Sequence, residues 1–543
     1  MSPGRGGQRE TAGEARGMEK SSQRALVIGS APAAYVAACV REAAGRHGEV
    51  LVLAKGAANA GLAGPNVRVR AFEGQLDIRN KSLAKALLGW RPDVVYIVYG
   101  SWLGHDNVFL AVHFYLRLAR KRYAAFLFSK TAQPVDLRQR LTHPFTRVDL
   151  ALSPLHWLAL PLYLLVRLMA PLLLVRFEPM RPSALGHYEE LEIYLGKKRA
   201  GEFPPRCLDV FCYKDTPCNA QILKMYRRKV CVVPLARYLL TWNHYIPGGD
   251  RHALHLRPWD YATLITQREC SVAFDPDEAR QGRERAAALG VDVDKPFVCL
   301  GFRDGLFDST VRLGLYGRPD DKDARRQLDL HAFRNADIAN ALPAVRFLHE
   351  AGYAVVRMGS KARPLPESMT PHAFDYANSP ARSEFLDIYL GATCRFFITT
   401  GYGLDTPPLV FRRPMVSVNT EYRLLRPNIL YIFRHHWSKA LGRPLRLREI
   451  FATGAAFYAM TTQFEENGVE LRENTPEEIL DAVREMEART RGTWVEDDED
   501  RALQQRFWDI VRPYYLPQYA TRAYCDSIRI GSRFLKGQPD FLD

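Results

Sequence analysis

The stretch Arg395-Phe396-Phe397-Ile398-Thr399-Thr400-Gly401-Tyr402-Gly403-Leu404-Asp405-Thr406-Pro407-Pro408 decides the fold. It opens as a short apolar run, breaks at glycine, and turns into two prolines that suit the first turn of a helix. A strand, a glycine loop and a helix in that order form one βα unit of a parallel sheet. The same rhythm continues on both sides. Residues 296–302 read as a buried strand, 335–352 as a helix and 353–359 as the next strand. A short strand at 373–376, a helix at 383–391 and a strand at 415–419 follow the pattern.

Further toward the N-terminus, strands are expected at 172–177, 207–212 and 230–234, with helical runs at 188–196 and 219–229. Residues 241–258 read as a loop with helical pieces. An earlier set of strands is expected at 24–30, 49–54, 67–70 and 93–99, with an Ala-rich helix at 32–47. The chain therefore divides into 1–23, rich in Gly, Arg, Glu and Ser and expected to be disordered; 24–148, an α/β lobe; 149–171, a hydrophobic connector; 172–290 and 291–480, two further α/β lobes; and 481–543, a helical segment. Within the last, Glu496-Asp497-Asp498-Glu499-Asp500 reads as a solvated helix entry. Residues 1–23 lack the apolar core of a signal peptide.

The connector belongs to the most hydrophobic stretch, 150–175. Pro154, Pro161 and Pro171 interrupt it, and His156 and Arg167 lie inside it. A charged residue mid-span costs about 2.5–3.5 kcal/mol on insertion scales, which argues against a crossing helix. It reads equally as core or as an element lying in a membrane interface.

Chemistry is expected where strands end. The loop Thr399, Thr400, Gly401, Tyr402 and Gly403 lets a backbone approach closely, and the helix start beyond it would attract an anion, with Asp405 or Thr406 as its N-cap. This makes a candidate diphosphate seat. Arg303, at the end of one strand, would stabilise a leaving phosphate. Arg357, Gly359 and Lys361, at the end of the next, would bind it. Arg312, Arg334 and Arg363 are weaker candidates. Asp304 would orient Arg303, Asp375 would contact a ribose or cap a turn, and Asn378 lies where base and ribose contacts fall. On the acceptor side, His187 is the candidate base, with Glu189 or Glu190 within one turn to orient the ring. A capping role for that cluster fits the sequence as well.

These residues also carry a resemblance. Gly301-Phe302-Arg303-Asp304, Arg334-Asn335, Val356-Arg357-Met358-Gly359, Phe374-Asp375-Tyr376-Ala377-Asn378-Ser379 and Arg382-Ser383-Glu384-Phe385-Leu386-Asp387 resemble strings of a sequence-defined family of glycosyltransferases of the GT-B type, over about residues 172–480. Tyr402 replaces a smaller residue of the family's loop, and residues before 148 fall outside the likeness. The resemblance implies an α/β fold with a GT-B-like pair of Rossmann-type lobes, preceded here by an additional N-terminal α/β lobe. It implies transfer of a sugar from a nucleotide-sugar donor to a glycan or lipid-linked acceptor in surface polysaccharide biosynthesis, without a metal or other cofactor. A scaffold that keeps the fold and has lost catalysis is the alternative.

Bulk properties limit the rivals. The formal charge of +15 and pI near 9.4 suit nucleic acid, an anionic membrane surface or phosphate-bearing substrates. The basic residues are spread out, with short runs at 117–122 and 227–229, and no compact basic face interleaved with aromatics argues for nucleic acid. Gly29-Ser30-Ala31-Pro32 lacks the spacing of a dinucleotide fingerprint. Asp292-Val293-Asp294 has the spacing of a metal-binding pair but precedes a strand, where a solvated turn is expected. The nine cysteines form no CxxC pair and read as free thiols of a reducing compartment. The chain is thus expected in the cytoplasm or at the inner face of the membrane.

Overall fold

The computed structural model describes residues 21–29, 33–55, 62–72, 81–99, 122–127, 133–134 and 154–543, the last with gaps at 214–215, 247, 255, 257–259, 267–268, 308, 311–330, 424 and 516–518. Expectations for residues 1–20, 30–32, most of the basic run at 117–122, and Arg312 lie outside the described residues. The chain forms two compact units, Met1–Leu150 and Ala151–Asp543.

The first unit holds strands β1 (Ser21–Gly29), β2 (His47–Lys55), β3 (Val67–Phe72), β4 (Val94–Tyr99), β5 (Arg122–Leu127) and β6 (Gln133–Pro134) in the order β3-β2-β1-β4-β5-β6. All pairs are parallel except β5 with β6. Ala25, Leu26, Val27 and Ile28 are wholly buried, as a central parallel strand covered on both faces requires. The strand order reverses between β1 and β4, the Rossmann-type arrangement.

The second unit contains two parallel sheets. The smaller consists of β7 (Leu174–Pro179), β8 (Cys207–Cys212) and β9 (Cys231–Val232), in that order. The larger has β10 (Phe297–Gly301), β11 (Ala354–Arg357), β12 (Phe396–Thr399), β13 (Met415–Thr420) and β14 (Ile429–Phe433). A small antiparallel sheet, β15 (His435–Ser438), β16 (Arg443–Pro444) and β17 (Val469–Arg472), follows in the chain. The larger sheet is completed by β18 (Arg529–Ile530), and its order is β11-β10-β12-β13-β14-β18. β10 and β12 are buried at every position, and the core around them includes Val298, Leu300, Phe397 and Ile398. The α/β class with parallel sheets expected from the sequence is present in both units.

Three expectations need correction. The segment 481–543 is not purely helical, because β18 adds the sixth strand, pairing with Leu430 and Tyr431. A cut at 480 also falls inside the helix Pro476–Arg491. Two residues are too few to show a period of two, so sequence pattern alone could not reveal this strand. The strand at 373–376 is a single bridge, Val356 to Phe374, followed by one 3-10 turn at Tyr376–Asn378. The helix at 335–352 begins later, as a 3-10 turn at Ile338–Ala341 leading to Leu342–Glu350, because Asp337 caps that turn through Ala339 N. The stretch 241–258, read as a loop with helical pieces, holds the end of the helix Arg237–Tyr245 and a 3-10 turn at Gly249–His252.

The connector forms the helix Pro154–Met169. Its inner side packs Tyr163 against Phe177, Val210 and Trp242. Among the described residues no helix is long and apolar enough to cross a membrane.

Candidate functional site

The site forms where the C-terminal ends of β7 and β8 meet those of β10 and β12, the edges at which parallel sheets bind ligands. Leu185–Tyr188 makes one 3-10 turn that leads into the helix Glu189–Arg199. The expected glycine loop lies directly against it: a side-chain carbon on Gly403 would sit 3.5 Å from the backbone nitrogen of Gly186. Gly401 has φ of +77°, a left-handed conformation that glycine adopts without strain.

Helical phase sorts the two glutamates. Glu190 lies three residues after His187, so it faces the ring. Its Oε1 is 3.2 Å from His187 Nδ1 and 2.6 Å from Arg181 Nη2. Burial would raise its pKa, but His187 and Arg181 hold it below the ordinary carboxyl value. Glu189 points the other way and is buried. It accepts hydrogen bonds from Tyr261, from Thr406 Oγ1 at 3.0 Å and from Arg426 Nη1 at 2.9 Å. Arg426 also pairs with buried Asp405. Burial opposes the Arg426 charge, and the two carboxylates more than offset it, so its pKa rises. One turn on, Glu192 meets Arg412 Nη2 at 2.7 Å. The helix Glu189–Arg199 is thus tied to the larger sheet through charge on one face and presents Glu190 on another.

Beside His187, at the end of β7, stands Glu178, a residue not among those expected from the sequence. It shares a pocket with Arg181, His187, Tyr188 and Leu256. Burial pushes its pKa up to about 8, and Glu190 adds to the rise, while a Leu256 N–H bond and Arg181 oppose it. An acid at the C-terminal end of a parallel strand is the sequence signal that would have found it.

The donor side departs from expectation. The helix Thr406–Val410 has five residues, and Pro407 and Pro408 carry no N–H. Asp405 sits at the cap position without a capping bond; its carboxylate engages Thr399 and Arg426 instead. The helix start is therefore a poor anion seat. The hydroxyls of Thr399 and Thr400 are also turned inward. Thr399 Oγ1 accepts from Gly401 N at 3.0 Å, and Thr400 Oγ1 accepts from Arg303 N at 3.0 Å. Tyr402 buries its ring, with its hydroxyl against Gly301, and burial raises its pKa.

Arg357 is corrected as well. It is fully buried, 3.2 Å from Asp375 Oδ1 and 3.5 Å from Asp304 Oδ2, so its charge is spent inside the lobe. Asp375 further accepts from Asn378 Nδ2 at 2.8 Å and Leu365 N at 3.2 Å, and Asp304 accepts from Arg363 N at 2.6 Å. Arg382 Nε donates to Gly359 O at 2.8 Å while its other end pairs with Asp387. The strings that carry the resemblance thus form a polar knot that fixes the loop after β11, with Gly359 at its turn and Lys361 exposed beyond it. Arg303 similarly stitches a neighbouring loop: its Nη1 donates to His331 O at 2.7 Å, and its carbonyl accepts from Ala336 N.

One other arginine stands at the glycine loop, and a second lies near it. Arg334 donates to Gly401 O. Arg423 reaches solvent yet is crowded by surrounding protein, and that crowding, with the like charge of Arg334 nearby, lowers its pKa. A cation depressed in this way is stabilised by any anion that joins it. Asn335 Oδ1 and Tyr402 OH are buried without a hydrogen-bond partner in the protein. Asp292 and Asp294 make the expected turn, Asp292 accepting from Asp294 N at 3.0 Å, and pair with Lys295 and Arg283. Among the described residues no group of three His, Cys, Asp or Glu is placed to hold a metal ion.

No family model matches the chain, and no curated protein matches it. Solved structures that it resembles include ADP-heptose LPS heptosyltransferase II of E. coli (11% identity, 76% of this chain and 90% of that chain, TM-score 0.23). Others are a family 9 glycosyl transferase of Veillonella parvula (9%, 77% and 87%, TM-score 0.21) and E. coli heptosyltransferase WaaC with ADP (11%, 76% and 90%, TM-score 0.18). At such low TM-scores none of them bears on the chemistry of this chain.

Proposed function

We propose that this protein is a glycosyltransferase that moves a sugar from a nucleotide-sugar donor onto a hydroxyl of a glycan or lipid-linked acceptor, as in surface polysaccharide assembly. The observation that carries this reading is the meeting of the His187–Glu190 pair with the Gly401–Gly403 loop, which holds Arg334 at Gly401 with Arg423 near Arg334. Glu190 accepts a hydrogen bond from His187 Nδ1–H, which leaves Nε2 as the basic nitrogen. The acceptor oxygen then bonds to the sugar's anomeric carbon as the bond from that carbon to the diphosphate oxygen breaks. The hydroxyl proton passes to Nε2, and the charge left on the nucleoside diphosphate meets Arg334 and Arg423. The two guanidinium groups supply positive charge at the leaving group, so this reading invokes no metal or other cofactor.

Thermal unfolding with UDP-, GDP-, CMP- and dTDP-sugars tests it. A ligand at about 100 times its dissociation constant adds about 2.7 kcal/mol. One nucleotide class is expected to stabilise the wild type and His187→Ala, but not Arg334→Ala/Arg423→Ala. His187→Ala is expected to bind without turnover. Stabilisation by none of the four, or undiminished stabilisation in the double arginine variant, overturns the assignment. Donor binding by the wild type with no transfer to any hydroxyl identifies a scaffold instead.

A further inference from the structure

The helix Pro154–Met169 has its polarity reversed. Between residues 155 and 173, twelve positions are exposed, and all twelve are Leu, Trp, Met or Pro. Leu158, Leu168 and Leu172 are 74%, 77% and 74% exposed. The polar side chains of the same helix point inward. Tyr163 OH donates to Asn243 Oδ1 at 3.1 Å and accepts from Arg167 Nη1 at 2.9 Å, and the His156 ring packs edge-on against Tyr238. A helix facing water shows the opposite arrangement. A continuous apolar face of this size marks an interaction surface.

We infer that this face docks the protein on an anionic lipid surface, with the helix lying along the membrane interface. Three observations favour lipid over a protein partner. The face offers no hydrogen-bonding group apart from the Trp157 indole, whereas a protein interface carries roughly one hydrogen bond per 100–200 Å². Trp157, 56% exposed and edge-on to Trp242, is the side chain that prefers the boundary between headgroups and acyl chains. Charge is complementary as well. Strands β7, β8 and β9 run parallel, so the residues before them lie toward one sheet edge. Exposed Leu172 and Leu173 precede β7, exposed Arg206 precedes β8, and exposed Arg227 and Lys229 precede β9. An apolar step beside a basic edge on a chain of formal charge +15 matches an anionic bilayer. With 16 residues the helix rises about 24 Å, short of the hydrocarbon core, so it lies on the membrane rather than spanning it. The C-terminal ends of β7 and β8, where His187 and Glu178 stand, belong to the opposite edge of the sheet from Arg206 and Leu172. The inference does not depend on what the site catalyses.

The full chain would be floated with vesicles of phosphatidylglycerol and phosphatidylcholine in equal parts, and with phosphatidylcholine alone. Binding is expected to the first and to be at least tenfold weaker to the second. It is also expected to fall at least tenfold in Leu158→Asp/Leu168→Asp, with the thermal unfolding of that variant as the folding check. Should the variant not fold, lipids brominated on the acyl chains are expected to quench wild-type fluorescence more than that of Trp157→Phe. Wild-type protein that stays with the solvent in the presence of anionic vesicles overturns the inference. So does equal quenching of the two proteins, or a wild-type dimer in solution that the aspartates dissociate, which would assign the face to a second copy.

Discussion

Replacing Glu178 by Gln should remove a pH dependence from the folding of the second unit. The carboxyl lies at the end of β7, beside Glu190 and crowded by surrounding protein though the residue is only half-buried, and holds its proton up to about pH 8 against an ordinary value of 4.5. The unfolded chain releases that proton near 4.5. Between the two values the unfolded state binds fewer protons than the native state, so this group's contribution to stability falls as pH rises and levels off above about 8. At 1.36 kcal/mol per pH unit, the full difference is at most about 5 kcal/mol, and relaxation around the charge would reduce it to a few. Gln fills nearly the same space and does not titrate. The assay is urea unfolding of wild type and Glu178→Gln from about pH 5 to about pH 9, followed by tryptophan fluorescence; six of the eight tryptophans lie in Ala151–Asp543. The stability of the wild type relative to the variant should fall by a few kcal/mol across that range. A difference that stays constant within about 1 kcal/mol would refute the reasoning, because it would mean that Glu178 ionises as it does in water.

Arg426→Leu should cost about 3–5 kcal/mol in urea unfolding, since it leaves Glu189 and Asp405 buried without their shared cation. Glu190→Gln, at a half-buried position outside that network, should cost much less, and equal losses would count against the network. Gly301→Ala should destabilise by about 1–3 kcal/mol, because its methyl would stand 2.5 Å from the Tyr402 hydroxyl and 2.8 Å from the Phe397 ring. Tyr402→Phe in the same chain should recover part of that loss, measured by thermal unfolding.

The candidate site was legible in part. Strand ends and glycines led to His187, Glu190 and the loop Thr399–Gly403, and the structure places the His187 turn against Gly403; Arg303, read from the same pattern, ties a neighbouring loop instead. Arg357 was read as a ligand contact because it follows an apolar strand, a position that sequence cannot distinguish from a buried ion pair. Its neutralisation by Asp304 and Asp375 requires residues 53 and 18 positions away to converge. Arg423 gave no signal, since its character comes from crowding and from Arg334, 89 positions earlier.

Local order was determined by the sequence alone, because apolar runs of strand length and glycine or proline breaks act on neighbouring residues. From these followed the α/β class, most strands of the parallel sheets and the acidic helix entry at Asp497. Tertiary structure decided whatever depends on distant partners. It added Arg529–Ile530 to the larger sheet, turned Glu189 into the core and Glu190 toward His187, raised the pKa of Glu178, and set the apolar side of Pro154–Met169 outward. The physical reason is range: backbone propensity and side-chain period act over a few residues, whereas burial, charge pairing and desolvation are set by whichever elements meet in space.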